Sequence, residues 1–305
     1  MRRYLVLAAL FLGTAIARAD DAGWDDALDE GEKLLEAGKA AEAESKFRDA
    51  LREAESFEAE DPRRAMTLSN LGDAQMAQDK YANAEESYKQ ALVAYEASLG
   101  SDDPDLVDPL ADLAWVYRRW KKYADAEPLL KRALALVEKA KGAAAAEIRH
   151  DLRGLGALYL RWGKLAEAET QLKRALEIRE KTLAATDLDL ADSVTDLGEL
   201  RTKQGKAADA EPLFQRALDI IEKSKEATDE DRADALLDLA ETKAKLGKDA
   251  DADGLYKRAV ESQEKAKADD SERADALESW AAVLRKLKRD AEAAPLEAKA
   301  AALRK

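Results

Sequence analysis

The chain has 305 residues, of which 46% are hydrophobic but only 6% aromatic, and its 50 basic and 64 acidic residues give a net charge of −14. That acidity argues against nucleic acid and anionic lipid as partners, while an apolar content carried largely by alanine favours close-packed helices. Without cysteine and with one histidine, His150, there is no disulfide, no thiol nucleophile and no thiolate or histidine-pair metal site.

In chain order, the first segment reads as a secretory signal peptide. Arg2 and Arg3 supply a positive start, Tyr4 to Ala17 an apolar run, and Ala17-Arg18-Ala19 a small-x-small site. The run is short of the ~20 apolar residues a membrane span needs. Cleavage is expected between Ala19 and Asp20, with delivery to a bacterial periplasm or exterior. No cysteine follows for lipid attachment, and neither Asn70 nor Asn83 begins a glycosylation acceptor. Loss of Arg2, Arg3 and Arg18 would leave 47 basic against 64 acidic residues, a net of −17. Such a surface keeps a protein soluble and steers basic partners toward it.

From there the sequence repeats itself. The phrases YANAEESYKQAL, YADAEPLLKRAL, LAEAETQLKRAL, AADAEPLFQRAL and DADGLYKRAV place Ala84, Ala126, Ala168, Ala210 and Ala252 at steps of 42 residues, as in 126 − 84. AAEAESKFRDAL with Ala43 and DAEAAPLEAKAA with Ala293 extend the series at both ends. Seven copies result, spanning approximately 24–60, 61–103, 104–145, 146–187, 188–229, 230–270 and 271–305. About a dozen residues before each phrase lies a second block, such as LSNLGDAQM, LADLAWVYR, LRGLGALYL or VTDLGELRT. Its spacing, as in Leu110, Leu113, Ala114 and Tyr117, is the stripe of an amphipathic helix. The later block is helical by the same test, from Tyr123 and Ala126 through Leu130 to Val137. Between the two, Gly38, Asp79, Lys121, Gly163, Gly205, Gly247 and Lys288 mark a turn that favours left-handed backbone. Each copy is therefore predicted to be a helical hairpin. Residues 20–305 form an all-α chain, read as one elongated domain because no linker interrupts the array.

Leu152, Leu155, Gly156 and Tyr159, followed by Ala168, Leu172 and Ala175, match the tetratricopeptide pattern. The chain resembles that family over about residues 27 to 301. Its longer period, against about 34 residues in the common form, is similar to the repeats of kinesin light chains. The resemblance implies an α-solenoid of about seven antiparallel helix-turn-helix units in a right-handed superhelix. It also implies a protein or peptide bound in the concave groove lined by the first helices. The first copy departs from the pattern, with Glu30 in a leucine position, and the last lacks an obvious polar closing helix. End copies of solenoids meet water on one face.

Chemical motifs are scarce. Asp249, Asp251, Asp253 and Gly254 spell the front of a calcium loop, but its twelfth position is Val260 where a glutamate belongs. The phrase also aligns with a second helix, so an acidic helix start is expected there. The acidic turns at Ser101 to Asp105 and Asp187 to Asp189 are expected to cap the following helices, with Pro104 in a first turn. His150, between Arg149 and Asp151, reads as a surface side chain. No nucleotide-binding loop or nucleophile with its base is present, so neither catalysis nor a cofactor or metal is expected.

What varies from copy to copy is the predicted groove. One residue before the repeated leucine, where the family often carries a peptide-gripping asparagine, stand Asn70, Asp112, Gly154, Asp196, Asp238 and Ser279. Aspartate accepts hydrogen bonds but does not donate them. Seven residues on come Arg119, Arg161, Lys203, Lys245 and Lys286, two turns along the same helical face. The groove is expected to carry banded charge suited to a basic or mixed-charge partner, or else these are solvated ion pairs. Trp120 and Trp162 share one repeat position and suit half-buried packing, whereas Trp115 is placed on the groove side. The candidate contact residues are Asn70, Asp73, Asp112, Trp115, Arg119, Arg161, Asp196, Glu199, Lys203, Asp238 and Lys245. The expected function is a non-catalytic interaction scaffold. The alternative is a self-assembling envelope component joined through its alanine-rich end repeats.

Overall fold

A computed structural model describes residues 22–57, 61–142 and 149–304. The expected signal peptide and its Ala19–Asp20 junction lie outside the described residues, as do the side chains of Arg149 and His150. Among the described residues all regular structure is helical. The contacts gather into two compact units, Met1–Ala143 and Ala144–Lys305. The division falls within an array read from sequence as uninterrupted.

Unit 1 holds three hairpins: α1 (Ala22–Glu36) with α2 (Ala40–Glu53), α3 (Pro62–Met76) with α4 (Tyr81–Leu99), and α5 (Val107–Arg119) with α6 (Tyr123–Lys141). Unit 2 holds four: α7 (Arg149–Trp162) with α8 (Leu165–Thr182), α9 (Leu188–Lys203) with α10 (Ala207–Lys223), α11 (Asp229–Lys245) with α12 (Asp249–Ala266), and α13 (Asp270–Lys286) with α14 (Asp290–Leu303). Each hairpin packs on its sequence neighbours within its unit. The first helices of successive hairpins also touch where α1 meets α3, α7 meets α9 and α11 meets α13.

The seven turn positions all adopt positive φ, from 54° at Asp79 to 82° at Gly163. The next residue's N–H reaches back five residues, as from Lys39 to the Leu34 carbonyl at 2.9 Å, which closes the first helix as a Schellman cap. Asp79, Lys121 and Lys288 hold this conformation with a Cβ, at a cost of ~1–2 kcal/mol each. Lys121→Gly is accordingly expected to raise the stability of unit 1 by up to about 1 kcal/mol, after the entropy glycine adds to the unfolded chain. An unchanged or lower urea midpoint would contradict this.

Between hairpins, the predicted caps form. Asp103 accepts from the Asp105 N–H at 2.8 Å and opens a 3-10 turn at Pro104–Leu106 that leads into α5. Asp187 accepts from the Asp189 N–H at 2.9 Å to start α9. Thr228 and Asp231 form a reciprocal capping box on α11.

Packing follows the period. Ala43, Ala84, Ala126, Ala168, Ala210, Ala252 and Ala293 are each 0% exposed, because only a methyl fits where the two helices of a hairpin cross. Four residues on, a large side chain such as Phe47, Tyr88, Leu172 or Phe214 fills the hairpin interior. It lies against Gly31, Gly72, Gly156 or Gly198 of the first helix.

Two expectations about the ends change. The first copy is better built than its sequence suggested. α1 begins at Ala22, Trp24 is 4% exposed, and its Nε1–H donates to Thr67 Oγ1 at 2.9 Å, while Glu30 pairs with Lys46 at 2.7 Å on the surface. The last copy does have a polar closing feature. Glu297 takes the interior position held by Phe214 or Tyr256 in earlier copies, stays exposed, and pairs with Arg285 at 2.8 Å. Trp280 and Leu296 complete the apolar contacts beneath it.

Candidate functional site

Much of the charge is consumed by stacking. The residue after each packing alanine is acidic in six copies, and in four of them it reaches the next hairpin's lysine or arginine just before the second helix. Glu44 meets Lys80 at 2.8 Å and Glu85 meets Lys122 at 3.5 Å in unit 1. In unit 2, Glu211 meets Lys248 at 2.6 Å, Asp253 meets Arg289, and Glu169 takes Arg201 at 2.9 Å instead. A second ladder joins successive second helices through Glu96 and Arg132, Glu180 and Arg216 at 2.8 Å, Glu222 and Arg258, and Glu264 and Lys299. Burial opposes the charge of Glu44, yet hydrogen bonds from Lys80, Arg48 and Gln78 hold its carboxyl at about 2. Arg201, Lys173 and Gln204 likewise hold Glu169 well below the usual range. These pairs keep the repeat's step, but each partner lies one copy away, so no local pattern in the sequence announces them.

The calcium-like aspartates serve stacking too. They occupy the first turns of α12, where Asp249 faces Lys286 at 3.6 Å, Asp251 faces Lys243 at 3.4 Å and Asp253 accepts from Trp280 Nε1 at 2.7 Å. Among the described residues no three acidic or imidazole groups converge on a metal position.

The first-helix face of unit 1 carries five of the candidates. Asn70 is 7% exposed and donates through Nδ2 to Glu32 Oε1 at 3.1 Å, and Asp73 accepts from the Tyr88 hydroxyl. The family's peptide-gripping amide is thus turned to an intramolecular partner. Arg119 lies 3.5 Å from Asp79. Asp112 is half-buried, and Trp115 beside it is 39% exposed.

The face of unit 2 carries the other six. Asp196, 9% exposed, is held by Arg153, which also reaches Asp192 at 2.7 Å. Asp238 occupies the same repeat position one copy later, but Thr195 stands where Arg153 stood and Glu199 faces it. Burial first, then Glu199, Glu241 and Asp234 against Lys245, raise the Asp238 carboxyl to about 7. Lys245 lies 3.7 Å from Glu241, while the exposed Arg161, Glu199 and Lys203 make no ion pair or hydrogen bond with a described residue.

The raised Asp238 fixes the sign of a pH effect. The folded state binds its proton more tightly than the unfolded chain, so stability is full below the ordinary carboxylate value of 3.8 and is lost as pH rises toward about 7. Unit 2 is expected to be ~1–2 kcal/mol more stable at pH 5 than at pH 8 after solvent screening. Asp238→Asn should flatten the slope and raise stability at pH 8. An unaltered slope in urea titrations would exclude Asp238 as its source.

The tryptophans separate by environment. Trp120 stacks on Tyr81 with centroids 6.2 Å apart and is covered by the Lys122 ammonium at 3.3 Å. Trp162 is covered by Lys164 at 3.4 Å. These two are packing residues, as their shared register suggested. Sequence reasoning missed Arg179, which is 0% exposed and donates from Nη1 to Ser193 Oγ at 2.7 Å and to the Asp189 carbonyl. Its register position, shared with Tyr95, Val137, Ile221 and Gln263, was the available sign of burial.

Helical hairpins stacked at a fixed period, with small residues at every crossing and variable side chains on the first-helix face, define a helical-repeat solenoid. The chain belongs to the tetratricopeptide repeat family, whose model matches residues 63–139, 122–181 and 189–265. Among solved structures, the apo form of RapI is similar at 16% identity, covering 92% of this chain and 97% of that one with a TM-score of 0.65. Nearly identical kinesin light chain TPR-like repeats from Podosopora anserina are similar at 20% identity, covering 66% and 96% with a TM-score of 0.59. A tetratricopeptide repeat protein from Parabacteroides merdae is similar at 17% identity, covering 92% and 93% with a TM-score of 0.61. These likenesses establish the fold. No curated protein matches the chain.

Proposed function

We propose that this protein is a non-catalytic interaction scaffold, exported to the periplasm or cell exterior, that binds a protein or peptide through its first-helix faces. One observation carries the reading. The ladders and packing alanines recur from copy to copy and are spent on stacking, whereas the first-helix faces differ in each copy and hold Trp115, Arg161, Glu199 and Lys203 toward solvent. In a repeat protein the shared residues make the architecture and the varied exposed ones are available for specificity.

Export rests on the signal-peptide layout of residues 1–19, and no described helix is long and apolar enough to cross a membrane. N-terminal sequencing of the exported protein should begin at Asp20. Recovery of an intact Met1 terminus from the cytoplasm would refute export. Binding is tested with a photo-crosslinking amino acid placed at Trp115, at Lys203, or at Val93, which is 65% exposed on the second helix α4. In an envelope fraction the first two positions should form discrete adducts that Val93 does not. Adducts at Val93 alone would move the interface to the second helices.

A further inference from the structure

Each of the five tryptophans but one has a partner within the protein. Trp24 donates to Thr67 and packs edge-on against Phe57, Trp120 and Trp162 are covered by lysines, and Trp280 donates to Asp253. Trp115 has no ring contact with a described residue, and its indole N–H donates to no described group; with Val93 it is one of two large apolar side chains exposed among the described residues. An aromatic ring left open to water on a helix face is available to a partner, and tryptophan is among the side chains that most often anchor one.

The charge around that ring selects the occupant. Asp112 and Asp108 lie about one and two turns before it on α5, and Asp73 holds Trp115's own repeat position on α3. The three carboxylates share one locality: all act on the buried Tyr95 hydroxyl, which burial first and then these charges push up. Asp108 has no hydrogen bond or ion pair with a described residue, and the nearest basic side chain along the face, Arg119, is turned to Asp79. The protein itself shows what an indole in this chain accepts, for at Trp120 and Trp162 an ammonium sits 3.3 Å and 3.4 Å from the ring centroid. At Trp115 no described lysine takes that seat.

We infer that Trp115 is the seat for a lysine or arginine side chain of a basic peptide partner, the cation resting on the open indole face with Asp108 and Asp112 beside it. Cation–π attraction and neighbouring carboxylates act together, whereas an acidic or purely apolar segment would gain from only one of them or be repelled. This inference rests on the scaffold reading and narrows it to a class of partner.

Random dodecapeptides displayed on phage and selected on the full chain test it. Binders should be enriched in lysine or arginine. Synthetic copies of them should bind about fivefold or more weakly to Trp115→Leu, which keeps an apolar surface but removes the ring face, and be largely restored by Trp115→Phe. Asp108→Asn should weaken them further and flatten their salt dependence. Circular dichroism of each variant should match the parent, since Trp115 lies at the surface. If Trp115→Leu binds as well as the parent, or the binders are acidic, the cation seat is wrong while the scaffold reading stands. Binders that respond to Asp238→Asn or Lys203→Glu but not to Trp115 would likewise overturn the cation seat and leave the scaffold reading intact. If no binder responds to any first-helix substitution, the scaffold reading falls as well.

Discussion

Gly198→Ala is expected to destabilise unit 2 by about 2 kcal/mol, although it adds a single methyl inside a helix where alanine is normally the better residue. A Cβ at Gly198 would lie 2.7 Å from Phe214 Cε1 and 2.8 Å from Cζ, and the ring is 4% exposed with core side chains behind it. The helices α9 and α10 are spaced for a hydrogen atom there. Alanine is accommodated at the same position as Ala114, Ala240 and Ala281, so the penalty arises from the spacing set by this hairpin. Phe214→Leu alone should also destabilise, by opening space in the core. Combined with Gly198→Ala it should cost less than the two separate losses together, because the smaller side chain vacates the room the methyl needs. Hydrogen exchange should place the loss in α9 and α10. Simple additivity of the two substitutions would refute the close-packing account.

Arg179→Ala should cost unit 2 about 3 kcal/mol, a large effect for a charged residue at a repeat position that is otherwise mostly apolar. The guanidinium extends from α8 and binds the Asp189 carbonyl and Ser193 on α9, with the Asp189 carboxylate 3.8 Å away. Truncation removes these hydrogen bonds and leaves a void the size of the largest fully buried side chain among the described residues. Arg179→Met keeps much of that volume without the charge and should recover about half the loss, since buried charges contribute less than their contacts suggest. The order of unfolding midpoints should be parent, then Met, then Ala. A methionine variant as unstable as the alanine one would assign the whole effect to hydrogen bonding.

These two residues also mark where sequence reading stopped. The period, the turns at Gly38 through Lys288, the fully buried alanines and the caps at Asp103 and Asp187 were legible beforehand. So was the helical start at Asp249 that replaced a calcium loop. Each depends on contacts within a few residues along one helix or turn, and such contacts leave a fixed spacing in the sequence. The first-helix candidates were legible as positions but not as environments. Asp196 and Asp238 share a register, yet one is held by Arg153 and the other faces Glu199.

The amino-acid sequence by itself determined that this chain is a helical array of the tetratricopeptide kind, because helix periodicity and turn chemistry are local and are written seven times. Only the tertiary structure decided which charged groups are used in stacking, that Trp120 and Trp162 are covered while Trp115 is open, and that Arg179 is buried. Those outcomes depend on which side chain of the next hairpin, some 32 to 43 residues away, arrives over a given surface. Packing between neighbouring copies settles that, and similar registers can meet opposite partners.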